Sequence, residues 1–136
     1  MGATAKSNID TFKSQGETVL VVEDEPAVLD ICRIMLEKLG YRVLTAGTPS
    51  EAIREAKAHA SDLQLLITDM TMPEMNGRDL ARLIRDIRPG LKCLFSSGYT
   101  TAAIDYHDAS GANYEFIQKP FSMQDLALKA REALGC

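Results

Sequence analysis

No apolar run in this chain approaches the roughly 18 residues that cross a bilayer as a helix, and the N-terminus lacks the apolar core of a signal peptide. Basic blocks are also missing. Fifteen basic side chains stand against 19 acidic ones, for a formal charge of −4, which argues against direct nucleic-acid binding and against a polybasic membrane contact. Cysteine is scarce. Cys32, Cys93 and Cys136 are odd in number and far apart, and no Cys-x-x-Cys pair or Cys/His cluster suggests zinc. Cys32 and Cys93 fall in apolar patterns and read as buried free thiols, which points to a reducing compartment, most simply the cytoplasm. Low-complexity tracts are absent too. What is present is ordinary for a water-soluble domain: 46% apolar and 25% charged residues over 136 positions, enough for one domain with a single core.

The pattern is organised around Leu65-Leu66-Ile67-Thr68-Asp69-Met70-Thr71-Met72-Pro73. An apolar run of strand character suits a strand buried on both faces, as in a parallel sheet. It ends in one carboxylate, and Pro73 and Asn76-Gly77 signal a turn. Asp69 would lie at the strand's carboxyl end, where open α/β sheets place ligands. An Asp that only caps the next helix is the structural alternative.

Residues 1–16 are polar and small and are expected to be a flexible tail or linker, with one domain over 17–136. Thr18 to Val22 predicts the first strand, running into Glu23-Asp24-Glu25-Pro26, with Pro26 suited to a first helical turn. Val28, Ile31, Cys32, Met35 and Leu39 have helical spacing, and Gly40 stops that helix. Tyr41 to Ala46 predicts a second strand. A second helix, capped by Thr48 or Ser50, runs to about His59 with Ala52, Ile53, Ala56 and Ala60 inward. The third strand ends at Asp69. A helix from about Gly77 to Ile87 carries Leu80, Leu83, Ile84 and Ile87 on one face. Leu91 to Ser96 is a fourth strand, Thr101 to about His107 a short weak helix, and Tyr114 to Gln118 a fifth strand. Ser122 caps a last helix with Leu126, Ala127, Ala130 and Leu134 inward. Five strand–helix repeats of about 25 residues predict parallel strands with right-handed crossovers.

All five strand ends then share one sheet edge, and polar chemistry gathers at four of them: Glu23 and Asp24, Asp69, Ser96 and Ser97, and Lys119-Pro120. Two unit charges about 5 Å apart at an effective dielectric near 20 repel by roughly 3 kcal/mol. Three clustered carboxylates therefore call for a cation or a shared proton. All-oxygen ligands suit Mg²⁺ or Mn²⁺ rather than zinc. Glu25 reads as an acidic first helical turn. Lys119 could hold an anion near the metal or pair with Asp69. Pro120 in the strand-exit turn, where a cis peptide is admissible, would aim it. Ser97-Gly98 adds a hydroxyl with open backbone, though alone it is only a turn signal. Together these parts make a phosphoryl site: an Asp nucleophile, a divalent ion, a lysine and a hydroxyl. Such a site mainly positions groups and neutralises charge.

Four segments, Val21 to Pro26, Ile67 to Gly77, Phe95 to Tyr99 and Phe116 to Phe121, are each weak signals and together highly specific in this order and spacing. On them the chain resembles the receiver domain of two-component response regulators, from about Glu17 to Leu134. The resemblance implies a flavodoxin-like doubly wound (βα)5 fold with strand order 2-1-3-4-5. It implies that Asp69 is the phosphoacceptor and that Glu23, Asp24, Asp69 and the Thr71 carbonyl bind Mg²⁺. It makes Lys119 the phosphoryl-binding lysine, Ser97 the switch hydroxyl and Phe116 the switch aromatic. The acidic pair is Glu-Asp rather than the commoner Asp-Asp, so Glu23 reaches further and could act through water. Phe116 has no hydroxyl, and Ser97 is chosen over Ser96 because Gly98 follows it. The implied partner is a histidine kinase or histidine phosphotransfer domain that supplies the phosphohistidine, since His59 and His107 read as solvated helix positions. The implied module is not a stand-alone enzyme, although it promotes its own phosphorylation and dephosphorylation. Phosphorylation would switch the surface of the short helix from Thr101, the fifth strand and the last helix, a surface that could also form a homodimer.

The wording around Ser97 and Lys119 looks most like receivers of hybrid sensor histidine kinases, which would make this the cytosolic part of a membrane-anchored kinase. A stand-alone single-domain response regulator is the alternative. A haloacid-dehalogenase-type phosphohydrolase needs a second Asp where Thr71 stands. A flavodoxin-like cofactor site needs hydroxyls and amides where Glu23-Asp24-Glu25 would repel phosphate. A degenerate receiver that only docks conflicts with the full set of site residues. Tyr41, Tyr99, Tyr106 and Tyr114 read as packing residues, and Tyr99 as a shield over the phosphoryl group.

Overall fold

The computed structural model describes residues 16–97 and 115–135. In chain order these form β1 (Thr18–Val22), α1 (Pro26–Lys38), β2 (Arg42–Ala46), α2 (Pro49–Ala58), β3 (Leu63–Asp69), α3 (Gly77–Ile87), β4 (Lys92–Ser97), β5 (Glu115–Gln118) and α4 (Met123–Leu134). The strands make one sheet in the order β2-β1-β3-β4-β5, and every pair is parallel. This is the doubly wound, flavodoxin-like order expected from the sequence. The predicted helix from Thr101 to His107, with Tyr99, Tyr106 and Tyr114, lies outside the described residues, as do residues 1–15 and Cys136.

Side-chain alternation along the strands divides the core in two. Val19, Val21, Leu65, Ile67, Leu94 and Ile117 pack with Cys32 and Leu36 of α1, with Leu39 at its C-cap, and with Leu126, Ala127 and Ala130 of α4. Leu20, Val22, Leu66, Cys93 and Phe95 pack on the other face with Ala52 and Ala56 of α2 and with Leu80, Ala81 and Ile84 of α3. A strand stretch covered on both faces has few polar positions to spare, which is why residues 19–22, 65–67 and 93–95 read as continuous apolar runs.

Local signals set the element ends. Pro26 opens α1. Of the two candidate caps for α2, Thr48 is the one used; its side chain accepts the Glu51 N–H at 3.2 Å. Asn76 caps α3 by accepting the Asp79 N–H at 2.9 Å. Ser122 and Asp125 form a reciprocal capping box on α4. After α1 the chain reverses at Gly40, whose φ of +96° favours a residue without a Cβ.

Two expected core positions are corrected. Ile31 is 51% exposed and Leu83 41% exposed, while Leu36 and Ala81 are buried. The buried arc of α1 is centred on Cys32, Leu36 and Leu39, and that of α3 on Leu80, Ala81 and Ile84. A neighbour in sequence is turned by about 100° around the helix axis, which carries Ile31 and Leu83 off those arcs. Strand boundaries differ by one residue: β2 begins at Arg42 and β4 runs Lys92–Ser97. The sequence also gave no sign of a buried ion pair across the domain. Arg131 of α4 donates from Nη1 to Glu17 Oε2 at 2.7 Å, just ahead of β1.

Cys32 and Cys93 are buried free thiols, as their apolar settings predicted. Burial pushes the Cys32 thiol up to about 11, and the Glu23 carboxylate adds to the shift. Burial likewise raises Cys93 to about 11, against a smaller opposing effect of Arg85. At pH 8 only about one thiol in a thousand would be ionised. Native protein treated with iodoacetamide at pH 8 should therefore keep both cysteines unmodified, and both should react once guanidinium unfolds the chain. Peptide mapping that finds either thiol alkylated within minutes in the native state would contradict this burial.

Candidate functional site

Every strand of a parallel sheet points its carboxyl end the same way, so residues far apart in sequence meet at one edge. Glu23 and Asp24 follow β1, Asp69 ends β3, Ser96 and Ser97 close β4, and Lys119 follows β5. One carboxylate oxygen from each of Glu23, Asp24 and Asp69 lies within 4.8 Å of the others. Glu23 is 3% exposed and Asp69 is also buried, whereas Asp24 faces solvent. Asp24 makes no hydrogen bond among the described residues.

Lys119 joins this group as a cation. Its Nζ donates to Glu23 Oε2 at 2.7 Å and to Asp69 Oδ2 at 3.2 Å. The remaining oxygens are also held: Glu23 Oε1 accepts the Glu25 N–H at 3.2 Å, and Asp69 Oδ1 accepts the Thr71 N–H at 3.3 Å. Burial pushes the Glu23 carboxyl above the usual range, and the Asp69 charge adds to it, while the Lys119 hydrogen bond opposes. Burial by itself would lower Lys119, but the Glu23 hydrogen bond and the two carboxylate charges outweigh it, so its affinity for a proton rises. Lys119 stays a full cation at neutral pH.

Backbone bonds fix the elements that carry these groups. The Glu23 N–H donates to the Ala46 carbonyl at 3.1 Å, the Met70 N–H to Ser96 at 2.9 Å and the Lys119 N–H to Ser97 at 2.8 Å. The Lys119–Pro120 peptide is cis. In the β3–β4 register Asp69 pairs with Ser96, and Ser97 is one residue further along. Both serines are buried. Phe116 packs against the core beside Phe95, with ring centroids 5.7 Å apart.

The donor set suits a small hard cation. All three side chains are carboxylates, grouped without His or Cys, and Asp24 opens the cluster to water; this fits Mg²⁺ or Mn²⁺ and not zinc. The structure brings together Glu23, Asp24, Asp69 and Lys119 as expected. Thr71 lies beside them, its N–H donating to Asp69 Oδ1. Gly98 and Tyr99 lie outside the described residues.

One contributor was missed. Gly77, at the start of α3, lies against the end of β3: a Cβ there would stand 2.5 Å from the Asp69 carbonyl oxygen and 3.1 Å from Thr68 Cγ2. Its N–H donates to the Met70 carbonyl at 2.9 Å. Asn76-Gly77 read only as a turn signal, because close backbone approach leaves no mark on composition.

A family model for the response regulator receiver domain matches residues 19–131. The chain is 36% identical over 124 residues to the sensor kinase CckA of Brucella abortus, covering 91% of this chain and 13% of the kinase. It thus spans a small fraction of that relative. The solved receiver domain of the hybrid histidine kinase CckA superposes with a TM-score of 0.72 at 32% identity, over 86% of this chain and 98% of that one. The response regulator protein TrrA of Thermotoga maritima, solved in complex with Mg²⁺ and BeF, gives a TM-score of 0.73 at 26% identity, over 86% and 98%.

Gly77→Ala has little freedom to relax, because the clash is with backbone rather than with a side-chain tip. It should cost roughly 1–3 kcal/mol of stability and perturb the Asp69 and Thr71 amide resonances. Urea unfolding gives the first quantity and amide NMR the second. A variant as stable as the parent, with unshifted resonances, would mean that α3 does not press on the site.

Proposed function

The chain belongs to the response regulator receiver family of two-component signalling, and from that premise we propose that Asp69 accepts a phosphoryl group from a phosphohistidine on a partner protein. The observation that carries this reading is the convergence of Asp69, Lys119 and two further carboxylates at one sheet edge. A carboxylate oxygen of Asp69 attacks phosphorus, and the bond from phosphorus to the partner's imidazole nitrogen breaks. That nitrogen keeps the electron pair and takes up a proton. The product is an acyl phosphate on Asp69.

The residues divide the work by charge and reach. Lys119 already touches Asp69 Oδ2 and would exchange that contact for a phosphoryl oxygen. The Thr71 N–H orients the acceptor through Oδ1. Ser97 would offer its hydroxyl to another phosphoryl oxygen. The Glu23, Asp24 and Asp69 carboxylates and the Thr71 carbonyl would hold Mg²⁺, with Mn²⁺ as a substitute. When bound, that ion supplies positive charge that offsets repulsion between carboxylate and phosphoryl oxygens. Support for a divalent ion also comes from the TrrA complex with Mg²⁺ and BeF.

A movement of Ser97 would pass to Phe116, whose ring leans on Phe95 of the adjacent strand, and so to the surface of β5 and α4 and the segment before β5. The unit over residues 17–136 would serve as the receiver of a hybrid histidine kinase, a reading supported by the likeness to the CckA receiver. The partner would be a histidine kinase or a histidine phosphotransfer domain. No helix of the described residues is long and apolar enough to cross a membrane.

With acetyl phosphate and Mg²⁺, the chain should gain one acid-labile phosphoryl group, and Asp69→Asn should gain none. Intact-mass analysis reads both, and equal phosphorylation of the variant would falsify the assignment of Asp69.

Millimolar Mg²⁺ should raise the melting temperature, since an ion that binds only the folded chain adds about 1.4 kcal/mol at ten times its Kd. Asp24→Asn should lose most of that rise while the metal-free protein becomes no less stable, because a like charge has been removed. Scanning calorimetry showing a wild type indifferent to Mg²⁺ would speak against the ion site.

A further inference from the structure

We infer that Thr68, the buried residue just ahead of the acceptor in β3, is a positioning residue for phosphoryl transfer. Its hydroxyl holds the Asp69 carbonyl and so fixes the direction in which the Asp69 carboxylate leaves the strand; the inference rests on the proposed phosphoacceptor reading of Asp69.

In β3 every position after Gln64 is buried, and Thr68 is the only polar side chain among them besides Asp69. It is 0% exposed. Its register partners are Val22 on β1 and Phe95 on β4, both apolar and both in the core layer that packs against α2 and α3. A hydroxyl in such a layer is costly unless it is bonded, and valine would fill nearly the same space without that cost. The Thr68 hydroxyl is bonded: Oγ1 donates to the Asp69 carbonyl at 3.2 Å. The methyl has a different neighbour. Cγ2 faces Gly77, where a Cβ would stand 3.1 Å from it. One half of the side chain thus bonds the acceptor residue, and the other half packs against the start of α3.

The bond matters because of the peptide plane on which it acts. The Asp69 carbonyl and the Met70 N–H belong to one rigid unit. That N–H donates to the Ser96 carbonyl at 2.9 Å, so the plane is held from β4 through its nitrogen and by Thr68 through its oxygen. With both ends held, the backbone torsion that follows the Asp69 Cα cannot turn, and the Cα–Cβ bond keeps one direction. The Thr71 N–H, 3.3 Å from Oδ1, then orients the carboxylate itself. Displacing a reacting group by about 1 Å can cost on the order of a hundredfold in rate. A bond that restrains the acceptor by part of that distance therefore acts on the rate without touching phosphorus or metal.

The test separates the two halves of the side chain in the whole 136-residue chain. Thr68→Val keeps the methyl against Gly77 and removes the hydroxyl. Thr68→Ser keeps the hydroxyl and removes the methyl. With acetyl phosphate and Mg²⁺, Thr68→Val should be phosphorylated about tenfold more slowly at saturating donor, with the half-saturating donor concentration unchanged. Thr68→Ser should keep the wild-type rate. In carbon-13-labelled protein the Asp69 carbonyl resonance should move in Thr68→Val and hold in Thr68→Ser, after subtraction of the difference that each exchange makes in guanidinium. The opposite order, with serine slow and valine at the wild-type rate, would make packing against α3 the role of Thr68 and overturn the proposal. Equal slowing of the two variants, or an unmoved Asp69 carbonyl in Thr68→Val, overturns it as well. If wild type takes up no phosphoryl group, the reading of Asp69 has failed, and the carbonyl resonances alone decide whether Thr68 holds Asp69. Should Thr68→Val not fold, Thr68→Ser decides: wild-type rate and carbonyl resonance uphold the proposal, and a loss of either overturns it.

Discussion

Three carboxylates and one ammonium share a small volume at the edge of the sheet, and the other features of the site follow from keeping them there. Like charges this close repel by kilocalories unless something of opposite sign stands among them. Lys119 does so, bonded to Glu23 and Asp69 together. It arrives from β5, at the far end of the sheet from β2, and Glu23 arrives from β1. The cluster can therefore form only when β1, β3, β4 and β5 are assembled in that order. The charges are a consequence of the fold, and they are also a load on it.

That load is carried by an apolar frame of ordinary construction. Val19, Val21, Leu65 and Ile67 bury one face of the sheet and Leu20, Val22 and Leu66 the other, so the strands cannot slip by one residue without turning each set against the wrong helices. Strand ends are consequently fixed to within a residue, which is the precision that a 2.7 Å contact between Glu23 and Lys119 needs. Gly77 extends the same logic to α3, where the absence of a Cβ lets the helix start against the Asp69 carbonyl. Asp69 is thus held by its own strand, by the Thr71 N–H and by the adjoining helix.

The division of chemistry among the carboxylates follows from burial. Glu23 and Asp69 are withdrawn from water and bonded to protein donors, while Asp24 keeps its solvent face. Lys119 remains charged because its two partners outweigh the cost of burying it.

Much of this was legible in the chain before any coordinates. Apolar runs ending in carboxylates, five strand–helix repeats and a Lys-Pro after the fifth strand were enough for parallel strands and for Glu23, Asp24, Asp69 and Lys119 at one edge, since strand direction alone determines which residues share an edge, whereas the strand order came from the family resemblance. Helix faces were less legible. Ile31 and Leu83 carry the same hydrophobic signal as their buried neighbours, and only the packing of α1 and α3 on the sheet chose Leu36 and Ala81 instead. The ion pair of Glu17 with Arg131 and the close approach of Gly77 could not be read at all, because each depends on two segments meeting that are distant in sequence or related by backbone contact. The sequence by itself determined which chemical groups exist and which end of each strand they follow. The tertiary structure alone decided which oxygen the Lys119 ammonium grips more tightly, because a distance of a few tenths of an ångström is set by packing across the whole sheet and is encoded in no single segment.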